Sequence, residues 1–177
     1  MHELKRWNRK AIDENKTEAQ KRQYRCAFTG HRPEKLNKPE SVVKAELKTA
    51  IEQSIADGYQ VFLSGMARGV DLWAAQIVLD LKQQHKHIQL VCVVPYEGFE
   101  WRWATQWQSI YHSVLNKADY VRFVKKGYSP DVFQRRNEWM VNHSARLIAV
   151  FNGTSGGTKN TIEYAKQSGV EILFCDI

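Results

Sequence analysis

Two stretches of the chain combine small and hydroxyl-bearing residues in the manner of phosphate-binding turns. They read "LSGMARGVD" (63–71) and "NGTSGGTKNT" (152–161), and each joins an apolar, strand-like run to a helix-like run. Amides at a helix N-terminus form an anion site, and glycine lets a phosphate approach without a Cβ clash. Neither stretch matches the Walker loop or GxGxxG. The candidate ligand contacts in these turns are Ser64, Gly65, Met66, Ala67, Gly69, Asp71, Asn152, Gly153, Gly156, Gly157, Thr158 and Thr161.

Asp71 has two possible roles within the first of these turns. It falls in the first turn of the predicted helix. There its carboxylate could cap backbone amides or accept a hydrogen bond from a ribose hydroxyl. Capping is the commoner role of an acidic side chain at this position.

A third turn, "FTGHRP" (28–33), follows the first strong strand and carries a cation. Thr29 can donate a hydrogen bond, Gly30 permits close backbone approach, and Arg32 can pair with phosphate. His31 has no evident partner in the sequence, and we interpret it as a loop residue. The turn alone is also compatible with a plain loop that carries a solvated arginine.

The segment "VFQRRNEWMVNHS" (132–144) is the strongest indication of a site. On a helix, Arg136 and Asn137 share a face with Phe133 and Met140, because steps of three and four residues return to one side. Polar groups on a core-directed face are costly unless they are paired. The pair is therefore predicted either to brace the glycine-rich turns or to hold a ligand, whereas Arg135 points further outward.

A fourth turn, within "PYEGFEWRWATQW" (95–107), follows the third strand and is rich in aromatic residues. Pro95 and Tyr96 are candidate ligand contacts at the strand end. Tyr96, Trp101 and Trp103 could stack on a base, although packing is the commoner role of such side chains. The sequence has no HExxH motif, Cys/His metal spacing or G-x-S-x-G elbow, so we predict neither a metal site nor a hydrolase triad.

Alternating strand-like and helix-like segments must position these turns. Apolar runs at 24–29, 60–63, 89–94, 120–124, 147–151 and 172–175 resemble strands, several of them apolar throughout. Helical periodicity occurs at 39–57, 69–84, 101–117, 132–144 and 158–168. This alternation predicts an α/β, Rossmann-like doubly wound fold, with a mostly parallel sheet of about six strands and helices on both faces. Ligands bind such sheets at the carboxyl ends of the strands, near a switch point in strand order.

Composition is typical of a soluble globular protein of one domain: the chain has 177 residues, 43% hydrophobic and 25% charged. We expect a basic extension over residues 1–22 and a single domain over residues 23–177. No apolar run approaches a membrane span and the N-terminus is polar, so we expect neither a membrane segment nor a signal peptide. Cys26, Cys92 and Cys175 lie in apolar runs without a CxxC pair, which indicates reduced core cysteines and a cytoplasmic location.

Taken together, the motifs resemble the SLOG superfamily of Rossmann-like proteins, and most closely its YpsA-like branch. The resemblance covers nearly all of residues 26–177. The motifs that carry it, in the order of the branch, are "CAFTGHRPEKL", "LSGMARGVDLWAA", "VVPYEGFEWRW", "FQRRNEWMVNHSARLIAVFNG" and "GGTKNTIEYAKQSG". For this branch the resemblance implies binding or sensing of nucleotide-derived ligands, without an assigned catalytic activity.

Similar motifs occur in two related families. DNA-processing protein A, which binds single strands, has a similar SGxARGxD turn, a similar RRN helix and a similar Ser/Gly/Thr-rich loop. This likeness implies that Arg136 and Asn137 support loops that surround a phosphate-bearing group. The loop glycines and hydroxyl concerned would be Gly65, Gly69, Gly156, Gly157 and Thr158.

The chain also resembles, more distantly, the Lonely Guy phosphoribohydrolases, which cleave the bond between base and ribose phosphate. Arg136 matches the arginine of that family. The glutamate of its PGGxGTxxE loop is not matched, because Thr161 stands at that position. Glu163 is two residues later, about 200° around the helix. Hydrolysis by the same mechanism is therefore not supported.

Three functions follow from these observations. The first is binding of a nucleotide or a nucleotide-derived phosphorylated ligand, such as an ADP-ribose-like molecule or a nucleotide-sugar. We expect no cofactor other than such a bound ligand. The second is an N-glycosidic hydrolase or transferase, which needs a carboxylate from among Asp71, Glu97, Glu100 and Glu163. The third is binding of single-stranded nucleic acid, suggested by the net charge of +7. We favour the first, expect no membrane partner, and consider a homodimer possible.

Overall fold

The computed structural model describes residues 16–177, and the first fifteen residues of the predicted extension lie outside this range. Within this range, six strands alternate with five α-helices from residue 25 onward, after one short helix. The strands are β1 (Arg25–Gly30), β2 (Val61–Ser64), β3 (Gln89–Tyr96), β4 (Tyr120–Lys125), β5 (Arg146–Val150) and β6 (Glu171–Phe174). The helices are α1 (Glu18–Arg22), α2 (Glu40–Ala56), α3 (Val70–Leu81), α4 (Thr105–Lys117), α5 (Val132–Asn142) and α6 (Gly157–Gln167), with a 3-10 turn at Pro33–Lys35.

The six strands form one parallel sheet in the order β4-β3-β2-β1-β5-β6. The chain runs outward from β1 to β4, then returns to the other side of β1 to add β5 and β6. The strand order therefore reverses between β1 and β5, and a crevice opens above such a switch point. The predicted doubly wound α/β fold is confirmed.

Helices cover both faces of the sheet, and strand residues alternate between the two layers. Cys26 and Phe28 of β1 pack in one core with helices α2, α3 and α4. Ala27, between them, packs in the other core with helices α5 and α6. Because strands covered on both faces have no solvent side, their sequences are apolar throughout. Within residues 16–177, none of the helices is both long and apolar enough to cross a membrane.

Helix α4 begins later than the periodicity predicts, at Thr105 instead of residue 101. Strand β3 continues through Tyr96, and the chain then turns at Gly98, whose φ is +82°. A Cβ at Gly98 would lie 2.6 Å from the Trp101 ring, so the turn depends on glycine. The aromatic residues of 99–103 therefore lie in a turn above the sheet edge.

Helix α1 joins the end of the predicted basic extension to the domain. Thr17 and Gln20 form a capping box at its start. Arg22 Nε donates to the carbonyl oxygen of Ser144, 2.9 Å away, and Arg25 pairs with Glu18 at 3.0 Å. The last turn of the extension is thus packed against the end of the sheet opposite the crevice.

The three cysteines are free and buried in the structure. Burial raises the pKa of Cys26 and of Cys175 to about 12, and it raises the pKa of Cys92 as well. Since the thiolate is the reactive form, we expect the native protein to resist a disulfide reagent at mildly alkaline pH. The measurement is thiol titration in buffer and in concentrated guanidinium chloride. Rapid labelling of the native protein would contradict the buried placement.

Candidate functional site

A cavity of about 470 Å³ opens above the switch point, at the carboxyl ends of the strands. Its wall is formed by the end of β1, the turns after β1 and β2, the turn after β3, the middle of α5 and the start of α6. The lining residues are Phe28, Thr29, Gly30, His31, Arg32, Lys35, Ala67, Arg68, Asp71, Phe99, Trp103, Phe133, Arg136, Asn137, Gly156, Gly157 and Thr158. The volume lies within the range of small-molecule sites, about 300–1,000 Å³.

The end of β1 reaches the cavity because the backbone packs closely against helix α3. A Cβ at Gly30 would lie 2.5 Å from Val70, the first residue of α3. The 3-10 turn that follows brings the exposed side chains of Arg32 and Lys35 to the cavity. Neither cation has an ion pair with another residue of the described range.

His31, which immediately precedes Arg32, is only 4% exposed. Its ring stacks on Phe151, with centroids 5.6 Å apart and an angle of 26° between the planes. Burial, and then the charge of Lys35, lower the pKa of His31, so the ring is neutral at neutral pH. Sequence reasoning missed this residue because its burial depends on contact with Phe151 at the end of β5.

The turn after β2 is fixed by Asp71 and Ser64. Ser64 Oγ donates to the Asp71 carbonyl oxygen at 2.8 Å and accepts from the Met66 amide at 3.2 Å. The Asp71 carboxylate accepts from the Ala67 amide at 3.3 Å. Met66 is buried with φ +63°, a conformation that non-glycine residues rarely adopt. Asp71 therefore caps this turn, the first of its two predicted roles.

Arg136 of α5 connects this turn to the opposite helix layer. Its guanidinium donates to the Gly65 carbonyl oxygen, and its Nη1 lies 4.0 Å from the Asp71 carboxylate. Its Nε donates to Asn137 Oδ1 at 2.7 Å. Arg136 and Asp71 are both buried, and burial raises the pKa of Asp71 although the guanidinium opposes the shift. Arg136 therefore braces the turn, which is the first of its two predicted roles, and its side chain also lines the cavity.

The start of α6 forms the wall after β5. Gly156 precedes the helix with φ +135° and provides no side-chain cap. A Cβ at Gly156 would lie 3.6 Å from Lys35 Nζ, so the 3-10 turn and the start of α6 face each other. Asn152 holds the two segments together, since its amide donates to the Lys35 carbonyl oxygen at 2.6 Å. We call Arg32, Lys35 and the α6 start at 156–158 the cationic end.

Four aromatic residues line the cavity: Phe28, Phe99, Trp103 and Phe133. Phe99 and Trp103 pack edge to face, with ring centroids 4.8 Å apart. We call Phe99, Trp103 and Phe133 the aromatic end. The turn with Phe99 follows β3, whereas helix α6 follows β5, three strand spacings or about 14 Å away in the sheet. The cavity is therefore elongated, with different chemistry at its two ends.

The structure brings together about half of the predicted ligand contacts. The predicted residues that line the cavity are Thr29, Gly30, Arg32, Ala67, Asp71, Arg136, Asn137, Gly156, Gly157 and Thr158. The predicted residues that do not line it are Ser64, Gly65, Met66, Gly69, Pro95, Tyr96, Asn152, Gly153 and Thr161. Several of these support the wall from behind. Thr161, for example, is buried and donates to the Gly157 carbonyl oxygen at 2.8 Å.

Sequence reasoning did not select seven residues that line the cavity. They are Phe28, His31, Lys35, Arg68, Phe99, Trp103 and Phe133. Trp103 was considered for stacking, together with Tyr96 and Trp101. Tyr96 packs behind the wall against Phe99 and Phe133, and Trp101 is 76% exposed outside the cavity. Lys35 could have been identified from its spacing, because it follows Arg32 by three residues on the same turn.

Comparison with solved structures supports the fold. DNA processing protein A from Helicobacter pylori, described for its single-stranded DNA binding mode, superposes with a TM-score of 0.62 at 17% identity. The superposition covers 89% of this chain and 66% of that one. At this level of identity the likeness establishes a shared architecture only.

Sequence comparison identifies nearer relatives. The "Uncharacterized SPbeta prophage-derived protein YoqJ" of Bacillus subtilis is 31% identical over 139 residues, which cover 71% of this chain and 81% of that protein. The UPF0398 protein BH1768 of Halalkalibacterium halodurans is 34% identical over 128 residues, 68% of each chain. The YspA SLOG family (YpsA) matches residues 26–172, which include every turn that lines the cavity. The chain therefore belongs to the YspA SLOG family.

Proposed function

We propose that the cavity binds a nucleotide or a nucleotide-derived phosphorylated ligand, such as an ADP-ribose-like molecule. One observation carries the proposal: within residues 16–177, one end of the cavity has two cations without ion-pair partners and a helix start without a side-chain cap, and the other end is aromatic. The cationic end is suited to a phosphate group, and the aromatic end is suited to a nucleobase. Membership of the SLOG family is consistent with a ligand of this class.

The cationic end is suited to an anion. Its side chains Arg32 and Lys35 form no ion pair within the described residues, while nearby Arg68 is paired with Glu34 at 2.8 Å. Amide groups at the start of α6 point their N–H bonds out of the helix, and the helix dipole favours negative charge there. A phosphate at this end would contact guanidinium, ammonium and backbone amides together.

The aromatic end is suited to a flat ring. Phe99 lies in contact distance of Trp103 and of Tyr111, and it is 9% exposed, so the rings are held by the core behind them. Aromatic side chains that are already ordered lose little entropy when a base stacks on them. Asn137 also lines the cavity, and its amide can both donate and accept hydrogen bonds with a sugar.

The positions of the four candidate carboxylates help to decide whether the cavity could catalyse N-glycosidic cleavage. Of the four candidates, Asp71 is the only one among the described residues that lines the cavity. It already accepts from the Ala67 amide and faces Arg136. Glu100 is buried behind the wall, near His112, and Glu163 is exposed on α6 beside Lys159. Binding without cleavage therefore fits the cavity better.

Replacement of Lys35 by alanine tests the proposal. We expect the affinity for a phosphorylated nucleotide to fall about tenfold, because a hydrogen bond between charged groups is lost. The measurement is calorimetric titration of the full chain with AMP, ADP-ribose and NAD, each compared with adenosine. The matched control is Lys38→Ala, since Lys38 is exposed on the same segment but does not line the cavity.

Two results would contradict the proposal. One is binding of adenosine as tight as that of AMP, which would leave no role for the cationic end. The other is an absence of nucleotide binding together with binding of single-stranded oligonucleotides that weakens steeply with salt. That result would favour the nucleic-acid alternative instead.

A further inference from the structure

Among the described residues that line the cavity, His31 is the one whose side chain has a buried, unpaired polar atom. Its Nε2 atom is buried and has no hydrogen-bond partner among the described residues. The adjacent Asn152 side chain interacts with the ring and raises its pKa, but the hydrogen bonds that it forms at normal distance are to Lys35 and Thr154. Its amide donates to Lys35, and its Oδ1 accepts from both the amide and the hydroxyl of Thr154. An unpaired buried nitrogen is costly, which indicates a partner outside the protein.

The position of His31 indicates which part of a ligand this partner would be. The residue lies between Gly30 and Arg32 and stacks on Phe151, which precedes the loop to α6. It therefore belongs to the cationic end. A Cβ at Gly69 would lie 3.1 Å from its carbonyl oxygen, so the His31 backbone is fixed against the start of α3.

Burial, and then the charge of Lys35, favour the neutral form of the His31 ring in the free protein. Burial and then the Lys35 ammonium lower the pKa of His31, and together they outweigh the Asn152 side chain, which raises it. The charged groups on the elements that meet at this part of the cavity are Arg32 and Lys35 on its own segment, the Arg68–Glu34 pair, the Asp71–Arg136 pair, and the positive end of the α6 dipole. The net charge of these groups is positive, and it lowers the pKa of His31. A bound anion would have the opposite effect and raise that pKa.

We propose that His31 takes up a proton from solvent when a phosphate group binds at the cationic end, and that its Nε2–H then donates to a phosphate oxygen. This inference rests on the proposed function. The imidazolium form has an N–H at Nε2 whichever tautomer the neutral ring adopts, so the donor is assured. Binding is thereby coupled to pH: because the bound state holds one more proton, affinity rises as the pH falls from the pKa of the bound ring to the pKa of the free ring.

The test is calorimetric titration with ADP-ribose near pH 6.5, in two buffers of different ionisation enthalpy. ADP-ribose is chosen because its phosphates are diesters without the second ionisation that a phosphate monoester has near pH 6. The buffer dependence of the binding enthalpy gives the number of protons taken up. We expect a value approaching one per ligand, and an affinity that increases by up to about tenfold per pH unit.

Two variants separate this role from a structural one. His31→Gln keeps a hydrogen-bonding side chain that does not titrate, so it is expected to bind with no proton uptake and a flat pH profile. His87→Gln is the matched control, because His87 is exposed and does not line the cavity. It should retain the proton uptake of the original chain. Equal uptake in both variants, or none in the original chain, would overturn the inference.

A second measurement keeps the inference testable if ADP-ribose does not bind. The pKa of His31 is followed by NMR titration of its ring protons with and without sulfate, an anion that does not titrate near neutrality. We expect sulfate to raise this pKa in the free chain. A pKa unchanged by saturating sulfate would overturn the inference, whereas lack of ADP-ribose binding alone would count only against the proposed nucleotide ligand.

Discussion

Replacing Arg136 by alanine is expected to lower the free energy of unfolding by about 3–5 kcal/mol, the cost of breaking a buried ion pair by removing one partner. The change would leave the Asp71 carboxylate without its counter-ion and the Gly65 carbonyl without its donor. Asp71 and Gly65 are both buried in the present fold. Denaturation by urea, followed by circular dichroism, measures the effect.

Arg135→Ala is the matched control for this experiment. Arg135 is adjacent in sequence, on the same helix, but its side chain is 59% exposed and pairs with Asp131 one turn earlier. Exposed pairs of this spacing contribute only about 0.3–0.5 kcal/mol. If Arg135→Ala and Arg136→Ala proved equally destabilising, the buried pair would not be the element that joins α5 to the turn after β2.

Replacing Gly65 by alanine is expected to cost about 1–3 kcal/mol through overpacking, and to abolish ligand binding. The added Cβ would lie 2.5 Å from Arg136 Nη1 and 2.8 Å from the Asp71 carboxylate. Gly65 does not have a positive φ, so the cost comes from the lack of space and not from backbone strain. To accommodate the methyl group, Arg136 must leave the cavity wall or the turn must move.

A double-mutant cycle checks this explanation. In the Arg136→Ala background the nearest contact of the new Cβ is absent, so Gly65→Ala should be less destabilising there than in the original chain. Strict additivity of the two substitutions would show that Gly65 is not required for the approach of the guanidinium. Thermal and urea unfolding of the four proteins provide the comparison.

The sequence contains enough information to predict the fold and the edge of the sheet at which the cavity lies. Helical and strand periods are unusually clear here, because the strands are covered on both faces and their apolar runs are uninterrupted. In a parallel sheet the turns after β1, β2 and β5 necessarily lie at one edge, so Arg32, Asp71 and Gly157 could be grouped without coordinates. The Arg136–Asn137 pair was identifiable because polar residues interrupt an apolar helical face.

Other parts of the cavity depend on contacts that no local pattern encodes. The turn at Gly98 decides that Phe99 and Trp103, not Tyr96, reach the cavity. Thr161 follows Gly157 by one helical turn, and its hydroxyl is used within the helix. His31 is buried by Phe151, which is distant in sequence and joins it only when β5 pairs with β1. Glycine and threonine content indicated the correct loop after β5, but not which of its residues face inward.

The missing side-chain cap at the start of α6 has a consequence for motion. Within the described range, the amides of Gly157, Thr158 and Lys159 have no acceptor in the protein, so nothing but solvent terminates the helix there. A bound phosphate would serve as that terminus, while Asn152 already ties the adjoining loop to the 3-10 turn. Ligand binding would then stiffen the first turn of α6 without any closure of domains. The stiffening would be measurable as slower amide hydrogen exchange in that turn.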